Sequence, residues 1–359
     1  MRWIRRTNIR GSYAAAAIVV LAAAGVARAM PAHACKGAEA ELAAATAALQ
    51  RGDAADAGGR FTAVRAAYPD CPEAILGLGR AALAARDYQA GYPLLAQYVK
   101  LAPRDARGPA ALAELLLEAG KPADADALSA TAVATDPGNV EALVTRGRIL
   151  GMKGESSQAE ELLVKACKLG ANHPQAHFEL GVLYDRLQRN AKAAEQFETV
   201  TKLTPQNARA YDYLALNLEP LGQFERAERA YRQALEVNRP PWFDGFLDYN
   251  YGRFLMKRNR LQEAARHLDR AAEFAPDTRA VRYERAKLNE RLGKYADARA
   301  EAERALALAD PGGVILDLQV YYQLVRIYTR LGETELAARY TKLAEGSNVP
   351  LRSRMRGGR

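Results

Sequence analysis

Apolar positions in this chain follow helical spacing and repeat with a longer fixed period. Each period holds two amphipathic segments of about 12–14 residues, which predicts two helices joined by a turn. Small residues recur 34 positions apart and later resume after spacings of 37, 34 and 39 residues. They are Ala57, Gly91, Ala125, Ala159, Ala193, Ala227, Ala264, Ala298 and Ala337. The pattern predicts nine helix-turn-helix units with two short insertions.

Turn-forming residues occur in the same frame. Glycines mark the predicted turn inside six units, where a helix end favours a left-handed residue. They are Gly52, Gly120, Gly154, Gly222, Gly293 and Gly332. Asn139 and Asn207 stand just before first helices and are predicted to cap them. The small residue that opens each second helix allows the two helix backbones to approach closely.

The repeated positions resemble the tetratricopeptide repeat. The fifth unit shows the pattern well, with Leu180, Gly181, Tyr184, Ala193, Phe197 and Pro205. The resemblance covers roughly residues 38–346. It implies an all-α, right-handed superhelical solenoid of about nine repeats, with first helices on the concave face and second helices on the convex face. Arg146 and Arg285 depart from the pattern, because they occupy the usual leucine position.

The first residues predict export. Four arginines precede an apolar run over residues 13–26, and small residues at Ala27 and Ala29, then Ala32 and Ala34, suit cleavage. The run is short for a membrane span, which needs about 20 residues. A cleaved signal peptide and periplasmic or secreted location are therefore expected. An uncleaved anchor, a twin-arginine route at Arg5 and Arg6, and lipidation at Cys35 are the alternatives.

The sequence divides into four predicted segments. They are a signal peptide or anchor over 1–34, repeats one to six over 35–241, repeats seven to nine over 242–346, and a basic flexible tail over 347–359. The net charge of +9 comes from the ends, which hold nine basic residues and no acid, so the body is balanced at 42 of each sign. Net charge therefore gives no indication of nucleic-acid binding.

Two cysteines predict a disulfide. Cys35 precedes the first helix and Cys71 follows the second, so antiparallel packing brings these ends together. Unpaired thiols are the alternative. Cys167 lies on a second helix and suits a small buried position.

Motifs for catalysis or metal binding are not found in the sequence. There is no Walker phosphate loop, G-x-S-x-G elbow or H-E-x-x-H motif. His173 and His177 have the spacing of a metal half-site, but packing or capping explains them better. His267 is expected to face solvent. We therefore predict no cofactor, no metal site and no enzymatic activity.

A repeated constellation in the last three units suggests a binding surface. The fifth and ninth positions of their first helices pair a tyrosine with a cation, one helical turn apart. We call this set the tyrosine–cation face: Tyr249, Arg253, Tyr283, Lys287, Tyr322 and Arg326. Such a face could bind an acidic peptide or a C-terminal carboxylate. The alternative is that each cation stacks on its own tyrosine or pairs with an acid of a neighbouring repeat.

The sequence as a whole predicts an exported scaffold that binds a protein or extended peptide in its concave groove. A structural or envelope-assembly subunit, acting through its convex face or its N-terminal anchor, is the alternative. Contact with a membrane is expected only through an uncleaved N-terminal segment. An enzyme without a recognisable motif is a more distant possibility.

Overall fold

The computed structural model describes residues 34–238, 245–310 and 312–356, with side chains up to residue 347. These residues form eighteen helices and no strand. They belong to two compact units, an N-terminal unit that ends at Thr204 and a C-terminal unit that begins at Pro205. The predicted signal segment and the Pro240-Pro241-Trp242-Phe243 insertion lie outside the described residues, as does the predicted division at 241/242.

The N-terminal unit contains five helix hairpins. Its helices are α1 (Glu39–Gln50), α2 (Ala54–Ala67), α3 (Pro72–Ala84), α4 (Tyr88–Leu101), α5 (Arg107–Glu118), α6 (Pro122–Thr135), α7 (Val140–Lys153), α8 (Ser156–Leu169), α9 (Pro174–Arg186) and α10 (Asn190–Leu203). Odd-numbered helices are the first helices of the repeats. Each packs against its own second helix, against the second helix of the preceding repeat and beside the next first helix.

The C-terminal unit contains four hairpins of the same kind. Its helices are α11 (Ala208–Leu218), α12 (Phe224–Val237), α13 (Phe246–Lys257), α14 (Leu261–Phe274), α15 (Arg279–Arg291), α16 (Tyr295–Ala307), α17 (Asp317–Leu331) and α18 (Thr334–Arg356). The first helices α11, α13, α15 and α17 lie next to one another in that order. The all-helical fold class and the nine paired repeats are therefore confirmed.

The hairpins close because small residues on one helix receive large side chains from the other. A Cβ atom placed on Gly147 would lie 2.6 Å from Leu163 Cγ, and one on Gly252 would lie 2.8 Å from Leu268 Cγ. The alanines that open second helices, such as Ala159 and Ala264, are fully buried. Larger residues at these positions would force the helix pair apart, since protein interiors have no room to spare.

The turn inside each repeat uses the left-handed backbone conformation. All six glycines named above have positive φ, between 71° and 89°. Arg86, Gln188 and Asn259 take the same conformation in the three repeats that lack a glycine there. Asn139 and Asn207 cap α7 and α11 by accepting hydrogen bonds from Ala142 N and Ala210 N. The predicted turns and caps are confirmed.

The two arginines at the leucine position replace apolar packing with ion pairs. Arg146 bonds to the carboxylate and, at 3.2 Å, the carbonyl of Asp126 on α6. Arg285 lies 3.0 Å from Asp269 on α14 and 2.8 Å from Glu301 on α16. These departures from the repeat pattern thus connect a first helix to its second-helix neighbours and leave the hairpins intact.

The end of α18 differs from the sequence prediction. The helix continues to Arg356, so most of the segment predicted as a flexible tail is helical. The prediction depended on the end of the repeat pattern and on the run of arginines. The residue types do not explain the continuation, because the segment includes Gly346 and Pro350, which disfavour a helix interior. None of the described helices is both long and apolar enough to cross a membrane.

A disulfide joins the two ends of the first hairpin. Cys35 and Cys71 are bonded, with their Cα atoms 4.8 Å apart and a sequence separation of 36. Glu73 lies nearby, with Oε2 2.9 Å from Cys35 Sγ. Because the two sulfurs are bonded to each other, this cluster offers no thiolate to a metal ion. Cys167 is a half-buried free cysteine, and burial raises the pKa of its thiol to about 11.

Removal of this disulfide should destabilise the N-terminal unit. Replacing both Cys35 and Cys71 by Ala should lower the free energy of unfolding by about 3–4 kcal/mol, because a loop of this length is no longer closed in the unfolded chain. Urea denaturation measures the change. Cys167→Ala is the matched control and should have little effect. Equal unfolding midpoints for the wild-type protein with and without a reductant would contradict the prediction.

Candidate functional site

The tyrosine–cation face lies on three consecutive first helices of the C-terminal unit. Its residues occupy the fifth and ninth first-helix positions in the register of the repeat, which is not counted from the first residue of each helix. They lie on α13, α15 and α17, which are side by side. Positions four residues apart share one side of a helix, so each tyrosine is next to its cation. The structure therefore places all six predicted residues on one layer of helices.

On α13, a cation stacks on a buried tyrosine. The Arg253 guanidinium carbon lies 5.4 Å from the centre of the Tyr249 ring. Tyr249 is only 6% exposed, and burial raises the pKa of its hydroxyl to about 12. Arg253 Nε also lies 3.6 Å from Glu284 Oε1 on α15. The ring of Tyr249 thus offers little surface, while part of Arg253 remains accessible.

On α15, the same arrangement recurs with a lysine. Lys287 Nζ lies 5.5 Å from the centre of the half-buried Tyr283 ring. It also lies 2.8 Å from Glu284 Oε2, one turn away on the same helix. The buried carboxylate of Glu284 therefore pairs with two cations, Arg253 at one oxygen and Lys287 at the other.

On α17, the tyrosine is open to solvent and the cation pairs with an acid. Tyr322 is 46% exposed. Arg326 forms a bidentate ion pair with Glu290 of α15, at 2.8 Å from Nε to Oε1 and 3.0 Å from Nη2 to Oε2. This hydrogen bond raises the pKa of the Arg326 guanidinium above its ordinary value.

All three cations thus have an internal acid, as the alternative in the sequence analysis expects. Two of the three also stack on their own tyrosine. Glu284 and Glu290 pair with these cations and Glu219 also interacts electrostatically with Arg253, so the cations are already matched by acids, while the ring of Tyr322 is exposed. An acidic ligand group would compete with Glu284 and Glu290, and the prediction that these residues bind a ligand stays a prediction.

A buried row of polar residues accompanies this face. The sixth positions of α13, α15 and α17 hold Asn250, Glu284 and Gln323, all buried. Asn250 Nδ2 donates to both carboxylate oxygens of Asp212 on α11, at 3.0 and 3.2 Å. Sequence reasoning considered only the fifth and ninth positions. Three polar residues in one register of three repeats were the signal that could have revealed this row.

The first helices of the N-terminal unit carry a different set of charges. Arg80 on α3 lies 3.1 Å from Glu141 on α7, and Arg148 on α7 lies 2.6 Å from Glu118 on α5. Glu114 lies among these residues, and burial raises the pKa of its carboxyl. The N-terminal unit therefore lacks the tyrosine–cation arrangement and has an excess of acid on its first helices.

The histidines have structural partners. His173 caps α9 by accepting from Ala176 N at 3.3 Å. His177 contacts Gln196 Oε1 at 2.8 Å and the Ala171 carbonyl oxygen at 3.0 Å. His267 differs from the expectation that it faces solvent: Nδ1 lies 2.7 Å from the buried Asp248 carboxylate of α13. That contact joins α14 to α13 and could not be seen from His267 alone.

Comparison with known sequences determines the family. Two family models, both described as tetratricopeptide repeat, match residues 48–115 and residues 144–208, 214–277 and 249–314. The matched segments together cover more than half of the chain. This chain belongs to the tetratricopeptide repeat family.

One curated relative aligns with about half of the chain. The chain is 26% identical over 196 residues to the TPR repeat-containing protein YpiA of Bacillus subtilis (strain 168). That alignment covers 54% of this tetratricopeptide repeat chain and 45% of YpiA, so the chain spans less than half the length of this relative.

Solved structures share the tetratricopeptide repeat fold. The APC/C hetero-tetramer Cut9–Hcn1 contains a chain that is 16% identical, with a TM-score of 0.69 over 81% of this chain and 56% of that one. Human IFIT1, crystallised with m7Gppp-AAAA, is 20% identical, with a TM-score of 0.58 over 85% and 71%. Pseudomonas aeruginosa PilF is 19% identical, with a TM-score of 0.51 over 60% and 97%. These identities show a common fold alone.

The buried Asp212 should make the stability of this repeat chain depend on pH. Burial raises the pKa of its carboxyl to about 7, against the ordinary 3.8, while the hydrogen bond from Asn250 acts in the opposite direction. Between these pH values the unfolded chain has released a proton that the folded chain keeps. The contribution of Asp212 to stability therefore falls as pH rises from about 4 to about 7.

Asp212→Asn removes this ionisation and keeps the shape of the side chain. The variant should match the wild type near pH 4 and be more stable above pH 7, by on the order of 1–4 kcal/mol. Urea denaturation at a series of pH values measures the difference. Glu273→Gln, at an exposed carboxylate of α14 in the same unit, is the control. A constant difference between Asp212→Asn and wild type at every pH would disprove the assignment.

Proposed function

We propose that this protein is an exported scaffold that binds an extended protein segment along the first helices of its C-terminal unit. A tetratricopeptide repeat array suits protein–protein interaction. The observation that carries the proposal is the tyrosine–cation face, where three consecutive first helices present the same pair of residue types. In superhelical form these helices would line the concave groove of the array.

The chemistry of this face favours an acidic segment or a C-terminal carboxylate. Arg253, Lys287 and Arg326 are all partly exposed, so an acidic group of a partner could replace Glu284 or Glu290 as their ion-pair partner. The guanidinium of Arg326 is half exposed and can donate two parallel hydrogen bonds to one carboxylate. The exposed ring of Tyr322 supplies apolar surface beside it. The first helices of the N-terminal unit, with their excess of acid, offer no such attraction.

Removing the three cations should abolish the binding of acidic peptides. The test uses a library of extended peptides with free carboxyl ends, selected on the full chain and measured by fluorescence anisotropy. Replacing Arg253, Lys287 and Arg326 by Gln should weaken binding by at least about tenfold, since charged hydrogen bonds contribute about 1.5–3 kcal/mol each. The affinity of the wild type should also fall as salt is added.

Two controls sharpen this experiment. Replacing Arg232, Arg270 and Arg304 by Gln removes the same charge from exposed arginines of the second helices and should leave affinity nearly unchanged. Glu290→Gln releases Arg326 from its internal partner and should tighten binding. Equal affinity of the wild type and the first triple variant would rule out the tyrosine–cation face as the binding surface.

The proposed location is the periplasm or the cell exterior. The disulfide supports this location, because such bonds persist in oxidising compartments. The basic, apolar and small-residue regions of the first 34 residues support it independently. A protein held by an uncleaved N-terminal segment is the alternative, and it would still present the same C-terminal unit.

The mass of the mature N-terminus should show cleavage. We expect intact-protein mass spectrometry of the protein from its native envelope fraction to find a chain that begins at Met30 or at Cys35. A chain that retains residues 1–29 would indicate an anchor. A mass increase on Cys35 that matches acyl chains would show lipidation, and it would exclude the disulfide with Cys71.

A further inference from the structure

Sixth-position residues of first helices connect neighbouring repeats. Asn250 of α13 reaches back to Asp212 of α11. Glu284 of α15 reaches back to Arg253 of α13, at 3.6 Å. Glu179 of α9 does the same in the N-terminal unit, at 3.5 Å from Arg148 of α7. Each of these buried polar groups thus has a partner on the preceding first helix, and Glu284 and Glu179 also accept a hydrogen bond from their own helix, from Lys287 and Gln175.

Gln323 of α17 breaks this pattern. It is fully buried, and neither Nε2 nor Oε1 of its side chain has a hydrogen-bond partner among the described residues. The cation at the ninth position of the preceding first helix is Lys287, which bonds instead to Glu284 of its own helix. Tyr283 stands on α15 at the place of Asp212, and Lys287 is bonded to Glu284, so neither position of α15 supplies a partner to the Gln323 amide.

An unpartnered buried amide is costly, and its chemistry specifies the partner. Each unsatisfied buried polar atom costs about 1–3 kcal/mol. The side chain has NH₂ donors and a carbonyl acceptor. A carboxylate can only accept and an ammonium can only donate, so either would leave one end unsatisfied. A second amide group can donate to Oε1 and accept from Nε2 at the same time.

The surroundings of Gln323 fit a neutral polar ligand group. Arg326 lies one turn along the same helix, and its charge is matched by Glu290. Tyr322 is the adjacent residue in sequence. The amide itself is fully buried, so a ligand reaches it only if the side chains around it move on binding.

We propose that Gln323 binds an amide group of the partner segment that occupies the tyrosine–cation face. This inference rests on the proposed function and names a further contact within the same face. In an extended segment the N–H and the carbonyl of one residue point to the same side, so one partner residue can donate to Oε1 and accept from Nε2. An Asn or Gln side chain of the partner offers the same chemistry.

Gln323→Met tests the proposal because it removes both polar groups and nearly keeps the volume. The full-length variant should be as stable to heat as the wild type, or more stable, since no internal hydrogen bond is lost. It should bind the peptides selected on the wild type about three- to tenfold more weakly, as expected for hydrogen bonds lost on binding. Gln262→Met, at an exposed glutamine of α14, is the matched control and should change neither property.

Modified peptides then identify the amide. Each main-chain amide of a selected peptide is replaced in turn by an ester, which has no N–H. In parallel, each Asn or Gln of the peptide is replaced by Ala. One replacement should weaken binding to the wild type and have no further effect on Gln323→Met, as in a double-mutant cycle. An ester at that position identifies a main-chain amide, and an Ala identifies a side-chain amide.

The other outcomes overturn the inference. Unchanged affinity of Gln323→Met, while the three-cation variant loses binding, would remove Gln323 and keep the proposed function. If Gln323→Met loses thermal stability as well as affinity, the glutamine has a structural role and the inference is wrong. Failure of the wild-type chain to select any peptide would remove both the proposed function and this contact.

Discussion

The helix hairpins of this protein depend on large side chains of second helices packing over small residues of first helices, as four repeats show at Gly79, Gly147, Gly181 and Gly252. Leu163 over Gly147 and Leu268 over Gly252 are so close that even a Cβ atom would collide. Such contact fixes the distance between the two helices and also their rotation. Once the rotation is fixed, the same positions of each first helix must face the neighbouring first helices. The surface chemistry of the array follows from this constraint.

The constraint explains why charges on first helices pair across repeats. Arg253 meets Glu284, and Arg326 meets Glu290, because equivalent positions of adjacent first helices are held close together. Pairs of this kind are partly exposed and contribute little to stability. They do hold long side chains in place, so a competing ligand would meet cations whose positions are already restricted. The internal acids thus lower affinity for a carboxylate and at the same time orient the groups that would bind it.

Much of the fold could be predicted from sequence because the repeat signal is local. The spacing of small residues determines the number of hairpins, and Gly154 or Gly332 marks a turn by its own backbone preference. Arg86, Gln188 and Asn259 adopt the same left-handed conformation without that preference, so only the structure reveals it. The continuation of α18 to Arg356 was missed, because the segment has no repeat pattern.

The candidate site could be predicted only in part, since its residues lie on one helix but their partners lie on others. Tyr249 and Arg253 are one turn apart and can be paired from sequence. The acids that hold the cations are 31 and 36 residues away, and only the register between repeats selects Glu284 and Glu290.

The partners of the buried sixth-position residues also cannot be predicted from one helix. Asn250 and Gln323 occupy equivalent places, yet one is bonded to Asp212 and the other has no partner. The difference arises from the preceding helix, which has the carboxylate of Asp212 in one case and Tyr283 at the equivalent position in the other. Residue type and register together therefore decide whether a polar group holds the array together or remains available to a ligand.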